Sequence, residues 1–251
     1  MQEPATRDGV AAADDSTLTV SIVIPFFNEA NTLEAAVRRV LAANCLGMAK
    51  DIILVDDGSV DGSPALAREI AARESAVRAF THPINRGKGA AIRTGFAQSH
   101  GDIVLIQDAD MEYNPSDYPK LLGPILDGRA DIVYGSRFRG SEEGNVLYFW
   151  HAVGNTVLTL LSNMFTNLNL SDMETGYKVI RGEIARAITI REDRFGFEPE
   201  ITAKIARLRP RPRVYEVGIG YSGRTYAEGK KVNWKDGMRA IYCILRYNLF
   251  R

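Results

Sequence analysis

The sequence predicts an α/β protein built on a mostly parallel central sheet flanked by helices. Three observations carry that reading. Apolar, β-branched runs alternate with helical stretches at the spacing of strand–helix–strand units. Four polar clusters, Pro25 to Glu29, Asp56-Asp57, Asn85 to Gly89 and Asp108 to Glu112, would then share the carboxyl edge of the sheet, where such sheets bind ligands. A chain of 251 residues with 45% hydrophobic and 25% charged side chains is long enough for one large core.

Residues 1–17 are polar and rich in Ala and Asp without periodicity, so we expect a disordered leader ahead of a single domain over 18–251. Leu18 to Pro25 is a buried first strand stopped by the proline. Asn28 or Asn31 is positioned to cap the next helix, whose apolar positions Leu33, Val37, Val40 and Leu41 recur at helical spacing. Asp51 to Ser59 runs from an apolar strand into carboxylates and a Gly turn, and Ser63-Pro64 opens a helix with Ser63 as cap. A short strand near Val77 to Phe80 leads to Asn85-Arg86-Gly87-Lys88-Gly89 and a helix to about Ser99.

The central strand follows. Gly101 to Glu112 delivers the run Ile103-Val104-Leu105-Ile106 into Asp108 and Asp110. Side chains at i and i+2 of an extended segment point the same way, so both carboxylates can face one cation. Hard divalent ions take oxygen ligands and keep positions for water and substrate phosphates. One Asp-x-Asp is expected about once by chance in such a chain. Its place after a strand, and the three other clusters on the same rim, carry the inference of a site.

After a Pro115-led helix and the strand Asp131 to Gly135 the chain changes character. Trp150 to Phe165 reads as a buried or surface-docking helix, and Met173 to Lys178 as a polar loop entering a short strand. Phe195 to Glu200 leads into a helix over Ile201 to Arg207, and Val214 to Tyr221 is a strand. Met238 to Phe250 mixes Arg239 and Arg246 with Ile, Leu, Tyr and Phe, as interfacial helices do.

Composition excludes several classes. Formal net charge is zero, so no global field favours nucleic acid. Cys45 and Cys243 fit neither a disulfide framework nor a zinc spacing, and His82, His100 and His151 share no ligand spacing. No signal peptide or bilayer-length apolar run is evident, which leads us to expect a cytoplasmic protein.

Taken in order, these motifs resemble family 2 glycosyltransferases of GT-A (Rossmann-like) fold, and within them the polyprenyl-phosphate subgroup that includes dolichyl-phosphate mannosyltransferases. Val23-Ile24-Pro25-Phe26-Phe27-Asn28-Glu29 is similar to the family's opening P-x-[YF]-N-E, and Val55 to Ser63 to its V-D-D-G-S-x-D-G-[ST]. Asn85 to Gly89 and Asp108-Ala109-Asp110 match the next blocks, and Arg224-Thr225-Tyr226-Ala227-Glu228-Gly229-Lys230 resembles the subgroup's R-x-Y-x-E-[SG]-K. The resemblance covers roughly Thr19 to Phe250 and divides the domain into a nucleotide-sugar half (18–140) and a smaller acceptor half (141–251).

The resemblance implies roles. Pro25, Phe27, Glu29 and Asp57 would contact the donor nucleoside, although Pro25 and Phe27 could simply end a strand and Asp57 could cap a helix. Lys88 and its loop suit a phosphate or ribose. Asp108, Asp110 and Glu112 would be the ligands of Mg²⁺ or Mn²⁺, Glu112 standing where relatives often carry Gln. Asp110 and Arg137 would act in catalysis, with Arg224 and Lys230 as further phosphate cations; Arg139 reads as a surface charge. The implied reaction is inverting transfer of a hexose from a UDP- or GDP-sugar to a polyprenyl phosphate. The lipid phosphate is already ionised, so no strong base is required. Glu198 and Glu200 lie where relatives using hydroxyl acceptors place a carboxylate; Glu200 is the candidate base in that alternative, and both could instead position sugar hydroxyls or basic side chains. A non-catalytic nucleotide-sugar binder is the more distant alternative. Peripheral membrane attachment, or a separate membrane-protein partner, completes the expectation.

Overall fold

The computed structural model describes residues 17–140, 148–223 and 234–250. The expected leader lies almost wholly outside the described residues, as do Arg224 and Lys230.

Seven strands form one sheet. β1 (Thr19–Phe26) and β2 (Ala49–Asp56) pair in parallel, followed outward by β3 (Val77–Thr81) and, on the other side of β1, by β4 (Ile103–Ile106). β5 (Ile132–Ser136), β6 (Lys178–Arg181) and β7 (Val214–Gly218) complete the order β3-β2-β1-β4-β6-β5-β7. β6 runs antiparallel between β4 and β5; the other pairings are parallel, so the expected mostly parallel sheet is present. β1 and β4 carry near-continuous apolar runs because both faces are covered, with Ile22, Ile24 and Leu105 buried on one side and Val23, Val104 and Ile106 on the other.

Helices α1 (Leu33–Ala42), α2 (Ser63–Arg73), α3 (Lys88–Gln98) and α4 (Tyr118–Leu126) connect the first five strands, α4 preceded by a 3₁₀ turn at Pro115–Asp117. α5 (Phe149–Thr166), α6 (Gly182–Ala187), α7 (Phe197–Arg207) and α8 (Trp234–Leu249) follow.

Three local expectations change. α1 is entered through Thr32, not Asn28 or Asn31. Asn28 adopts a left-handed φ of 55°, and its Oδ1 accepts from the Val60 amide at 2.9 Å, tying the β1 loop to the β2 loop. Ser63 begins α2 rather than capping it, because its hydroxyl accepts from the Glu29 amide at 2.9 Å. The last strand stops at Gly218, and Tyr221 makes an isolated antiparallel bridge to Tyr113.

Candidate functional site

The carboxyl ends of β1, β2, β4 and β5 open into a cleft of about 910 Å³. Of the residues singled out from sequence, Pro25, Phe27, Glu29, Asp57, Lys88, Asp108, Asp110, Glu112, Arg137 and Glu198 all line it. α5 and α8 form its far wall through Trp150, Asn155, Leu158 and Ala240.

The nucleoside side is assembled by loop-to-loop hydrogen bonds. Asp57 is buried and does not cap α2. Its carboxylate accepts from the Arg86 amide at 3.0 Å and the Gly87 amide at 2.6 Å, and meets His82 Nδ1 at 2.9 Å. Asp57 thereby fastens the end of β2 to the loop that starts α3. Gly87 has φ 115°, and a Cβ there would strike the Asp193 carbonyl, so the tight entry to Lys88 requires glycine. Glu29 accepts from the Thr32 hydroxyl at 2.7 Å.

At the end of β4, the Gln107 carbonyl oxygen of the side chain accepts from Tyr118 and Tyr177 hydroxyls, each at 2.8 Å, which anchors the strand just before Asp108. The Lys88 ammonium lies 2.9 Å from Asp108 Oδ1, 3.2 Å from Oδ2 and 3.4 Å from Glu198 Oε1. Burial works against its charge, but Asp108 and Glu198 outweigh burial and hold the ammonium above its ordinary range.

Glu112, the third expected ligand, lines the same cleft. Its Oε2 accepts from the Tyr221 hydroxyl at 2.7 Å, a partner delivered by the segment after β7. Among the described residues, no group of three or more His, Cys, Asp or Glu side chains is placed to hold a metal. Two hard oxygen donors, Asp108 and Asp110, one residue apart on the cleft wall, do suit a cation whose other ligands come from water and phosphate. The residues thus fit a divalent ion held by Asp108 and Asp110, with Glu112 in the same cleft and one of its oxygens engaged by Tyr221.

Arg137 is largely buried and clasped by Asp172, with its guanidinium 5.3 Å from the Tyr221 ring centroid. Arg139 pairs with Glu216 at 3.0 Å on the exposed side, as its surface reading expected.

Glu200 does not join the cleft. It is buried away from the cleft lining, accepts from the Arg191 amide (2.8 and 3.0 Å) and the Glu192 amide (2.7 Å), and pairs with Lys204. One helical turn geometry explains the split between the two glutamates. Positions i and i+2 on α7 face different ways, so Glu198 meets the cleft and Glu200 seals the preceding loop. Glu198 Oε2 is buried and finds no hydrogen-bond partner among the described residues.

Sequence reasoning assigned no role to Glu174, Lys178 or Asp172. Glu174 lines the cleft, with Oε1 buried and unpartnered among the described residues. Burial, reinforced by Glu198, pushes its carboxyl up to about 8. Lys178 is fully buried, donates to the Thr175 carbonyl and lies 5.2 Å from the Tyr134 ring centroid; burial pushes it down to about 8. The available signal was an acidic-then-basic pair in Met173 to Lys178 leading into an otherwise apolar strand.

The sequence profile of glycosyl transferase family 2 matches residues 21–189. The undecaprenyl-phosphate 4-deoxy-4-formamido-L-arabinose transferase of Pseudomonas aeruginosa is 33% identical over 214 residues, 84% of this chain and 60% of that protein. The dodecaprenyl-phosphate galacturonate synthase of Rhizobium johnstonii is 27% identical over 85% of this chain and 62% of its own length. The dolichol-phosphate mannosyltransferase of Pyrococcus furiosus is 25% identical over 92% of this chain and 64% of its own length. The chain therefore spans about three fifths of the length of these relatives. Among solved structures, glucosyl-3-phosphoglycerate synthase from Mycobacterium tuberculosis, crystallised with Mn²⁺, UDP and phosphoglyceric acid, superposes with TM-score 0.70 at 21% identity, covering 93% of this chain and 80% of that one. That likeness is one of fold.

Proposed function

The chain belongs to glycosyl transferase family 2 and has the GT-A fold, and on that premise we propose that it transfers a hexose from a nucleoside diphosphate sugar to a polyprenyl phosphate with inversion. One observation carries the reading: Phe27, Asp57, Lys88, Asp108 and Arg137, delivered from separate elements, converge on one cleft. The names of the polyprenyl-phosphate relatives support the acceptor class.

The chain's own residues divide the work. Phe27 offers a ring for base stacking and Glu29 an acceptor for a ribose hydroxyl or base N–H. Asp57 acts one step back, holding the loop that presents Lys88 and its amides. Arg137 is held by Asp172 through the Nε and Nη2 edge of its guanidinium, which leaves Nη1 and a permanent charge for a phosphate. A polyprenyl phosphate is ionised near neutral pH and attacks the anomeric carbon without a protein base, so a single displacement inverts the centre. Asp108 and Asp110 would supply oxygens for Mg²⁺ or Mn²⁺, which would offset charge on the departing nucleoside diphosphate. Glu198 is placed to accept from a sugar hydroxyl.

A second reading, transfer to a hydroxyl acceptor, is favoured by Glu198 alone: a buried carboxylate on the cleft wall with one oxygen unpartnered among the described residues. Incubation with Mn²⁺, UDP- and GDP-hexoses and a short polyprenyl phosphate separates the two. The proposal expects nucleoside diphosphate release and a glycolipid of inverted anomeric configuration, lost in Asp110→Ala. Turnover confined to hydroxyl acceptors and abolished by Glu198→Gln would establish the second reading, and release of inorganic diphosphate would exclude both.

We assign the protein's place to a membrane surface. Among the described residues no helix is long and apolar enough to cross a bilayer. α5, however, is inverted: its fully buried positions are Thr159, Ser162 and Thr166, while Phe149, Trp150, Val157, Leu160 and Met164 are exposed. Apolar side chains facing outward beside the cleft suit a lipid surface that presents the acceptor.

A further inference from the structure

We propose that the Lys88 ammonium is an internal counterion to Asp108 that a divalent cation must displace, so that cation binding is coupled to arrival of the nucleoside diphosphate. The inference rests on the reading of Asp108 and Asp110 as the cation's ligands.

The geometry is that of an occupied carboxylate. Lys88 Nζ approaches both oxygens of Asp108, at 2.9 and 3.2 Å. Its backbone is fixed, because the start of α3 is held by three separate bonds. Asp57 accepts from the amides of Arg86 and Gly87, and Ala90 donates to the Asp193 carbonyl at 3.0 Å. The side chains of Lys88 and Asp108 are 22% and 16% exposed, so water and salt screen their attraction poorly.

Mg²⁺ bonds carboxylate oxygen at about 2.0–2.1 Å. A cation at that distance from Asp108 would sit within a few ångströms of the ammonium, where like charges repel strongly. Free cation and Lys88 therefore compete for one carboxylate. Glu198 offers the way out. Its Oε1 already lies 3.4 Å from Nζ, and its Oε2 is buried without a hydrogen-bond partner among the described residues. A small rotation of the lysine towards Glu198 uncovers Asp108. A diphosphate entering the cleft adds negative charge that both the cation and the displaced ammonium can use. Cation and nucleotide should each raise the other's affinity by the same factor, as linkage demands.

Mn²⁺ binding followed by electron paramagnetic resonance, with and without UDP or GDP, tests this without any turnover. In the unmodified protein the nucleotide should tighten Mn²⁺ binding by about tenfold or more. Lys88→Met should bind Mn²⁺ alone about tenfold more tightly than the unmodified protein and lose most of the nucleotide-induced gain. Lys88→Arg, which keeps the charge, should stay close to the unmodified protein. A Lys88→Met protein that binds Mn²⁺ alone no more tightly overturns the inference while leaving the cation site intact, provided Asp108→Asn abolishes binding. Mn²⁺ binding that survives Asp108→Asn overturns the site and the inference together. Should Lys88→Met fail to fold, Glu198→Gln carries the test: removing the second anion should weaken Mn²⁺ binding severalfold, and an unchanged affinity overturns the proposal.

Discussion

Arg137 and Asp172 are joined by two parallel hydrogen bonds, Nε to Oδ2 and Nη2 to Oδ1, each 2.7 Å long. The same carboxylate accepts from the Arg137 amide at 3.1 Å, so Asp172 fixes both the side chain and the strand end that carries it. Asp172 is fully buried and the arginine side chain 15% exposed. Removing one partner of such a pair leaves a buried charge uncompensated, at about 3–5 kcal/mol. Asp172→Ala should therefore lower the thermal midpoint sharply. Arg137→Lys keeps the charge but loses the fork, and should cut kcat/KM by about tenfold or more with a smaller stability loss. Equal losses of stability in both variants, with activity tracking only the folded fraction, would remove Arg137 from phosphate recognition.

Asp57 invites a different test because it works through other groups. Its bonds to the Arg86 and Gly87 amides and to His82 shape the loop before Lys88. Hydrogen bonds to a charged partner contribute about 1.5–3 kcal/mol. Asp57→Asn should weaken UDP or GDP binding, measured by calorimetry, and raise the donor KM by about tenfold, leaving kcat at saturating donor within a few-fold. A collapse of kcat with unchanged KM would instead place Asp57 at the reacting atoms.

Glu200 is predicted to matter for folding rather than chemistry. Its oxygens accept from the Arg191 and Glu192 amides and from Lys204. Glu200→Gln cannot receive all of those donors, and should cost about 1–3 kcal/mol in denaturant melts. Turnover per folded molecule should stay within a few-fold of the unmodified protein. Abolished turnover in a fully folded Glu200→Gln protein would restore it as a base.

The first half of this architecture was legible in the sequence because β1, β2 and β4 are buried on both faces. Their buried stretches Ile22–Phe26, Ile52–Val55 and Ile103–Ile106 are apolar throughout, and the chain turns polar where the backbone leaves the sheet. That pattern places Asp57, Lys88, Asp108 and Asp110 on one rim. Side-chain partners were not legible, since they come from distant segments. Tyr221, 109 residues beyond Glu112, donates to that carboxylate. Glu174 sits in a stretch that reads as a polar loop and Asp172 just ahead of it carries no signal; the antiparallel insertion of β6 between β4 and β5 brings them under the cleft. Glu198 and Glu200 are two residues apart, so the turn of α7 decided which one faces the site.

Glu174 supplies a pH dependence with a definite sign. Its carboxyl rises from an ordinary 4.5 to about 8 in the folded protein, through burial first and Glu198 second. Below pH 4.5 both folded and unfolded chains hold the proton. Between 4.5 and about 8 the folded chain keeps it while the unfolded chain has released it, so stability falls as pH rises through that window. Lys178 acts oppositely: its ammonium falls from 10.5 to about 8, so stability is regained between about 8 and 10.5. Glu174→Gln removes the first effect and, by taking a carboxylate from beside Lys178, lets that ammonium fall further. Its thermal midpoint relative to the unmodified protein should climb between pH 5 and pH 8, by roughly 2–4 °C per kcal/mol. A difference that stays flat over that range would mean that Glu174 is ionised normally.

The inverted face of α5 makes the last prediction. Leu160 and Met164 are 60% and 71% exposed and one helical turn apart, so they share a surface. On α8, Met238, Tyr242 and Leu249 are also at least half exposed, and Arg239 stacks over Tyr242 at 4.8 Å while bonding Glu192. In water these side chains gain nothing from their position. Burying each in an acyl boundary would be worth roughly 1.5–3 kcal/mol. Leu160→Glu with Met164→Glu forfeits that burial and adds two charges facing the headgroups, so partition onto vesicles should drop by more than about tenfold. UDP or GDP affinity should be unchanged, because neither residue lines the cleft. The unmodified protein should float with vesicles containing phosphatidylglycerol. If it stays in the soluble fraction with those vesicles, or if the double variant floats equally well, the apolar face docks on something other than lipid, and a membrane-protein partner becomes the occupant to seek.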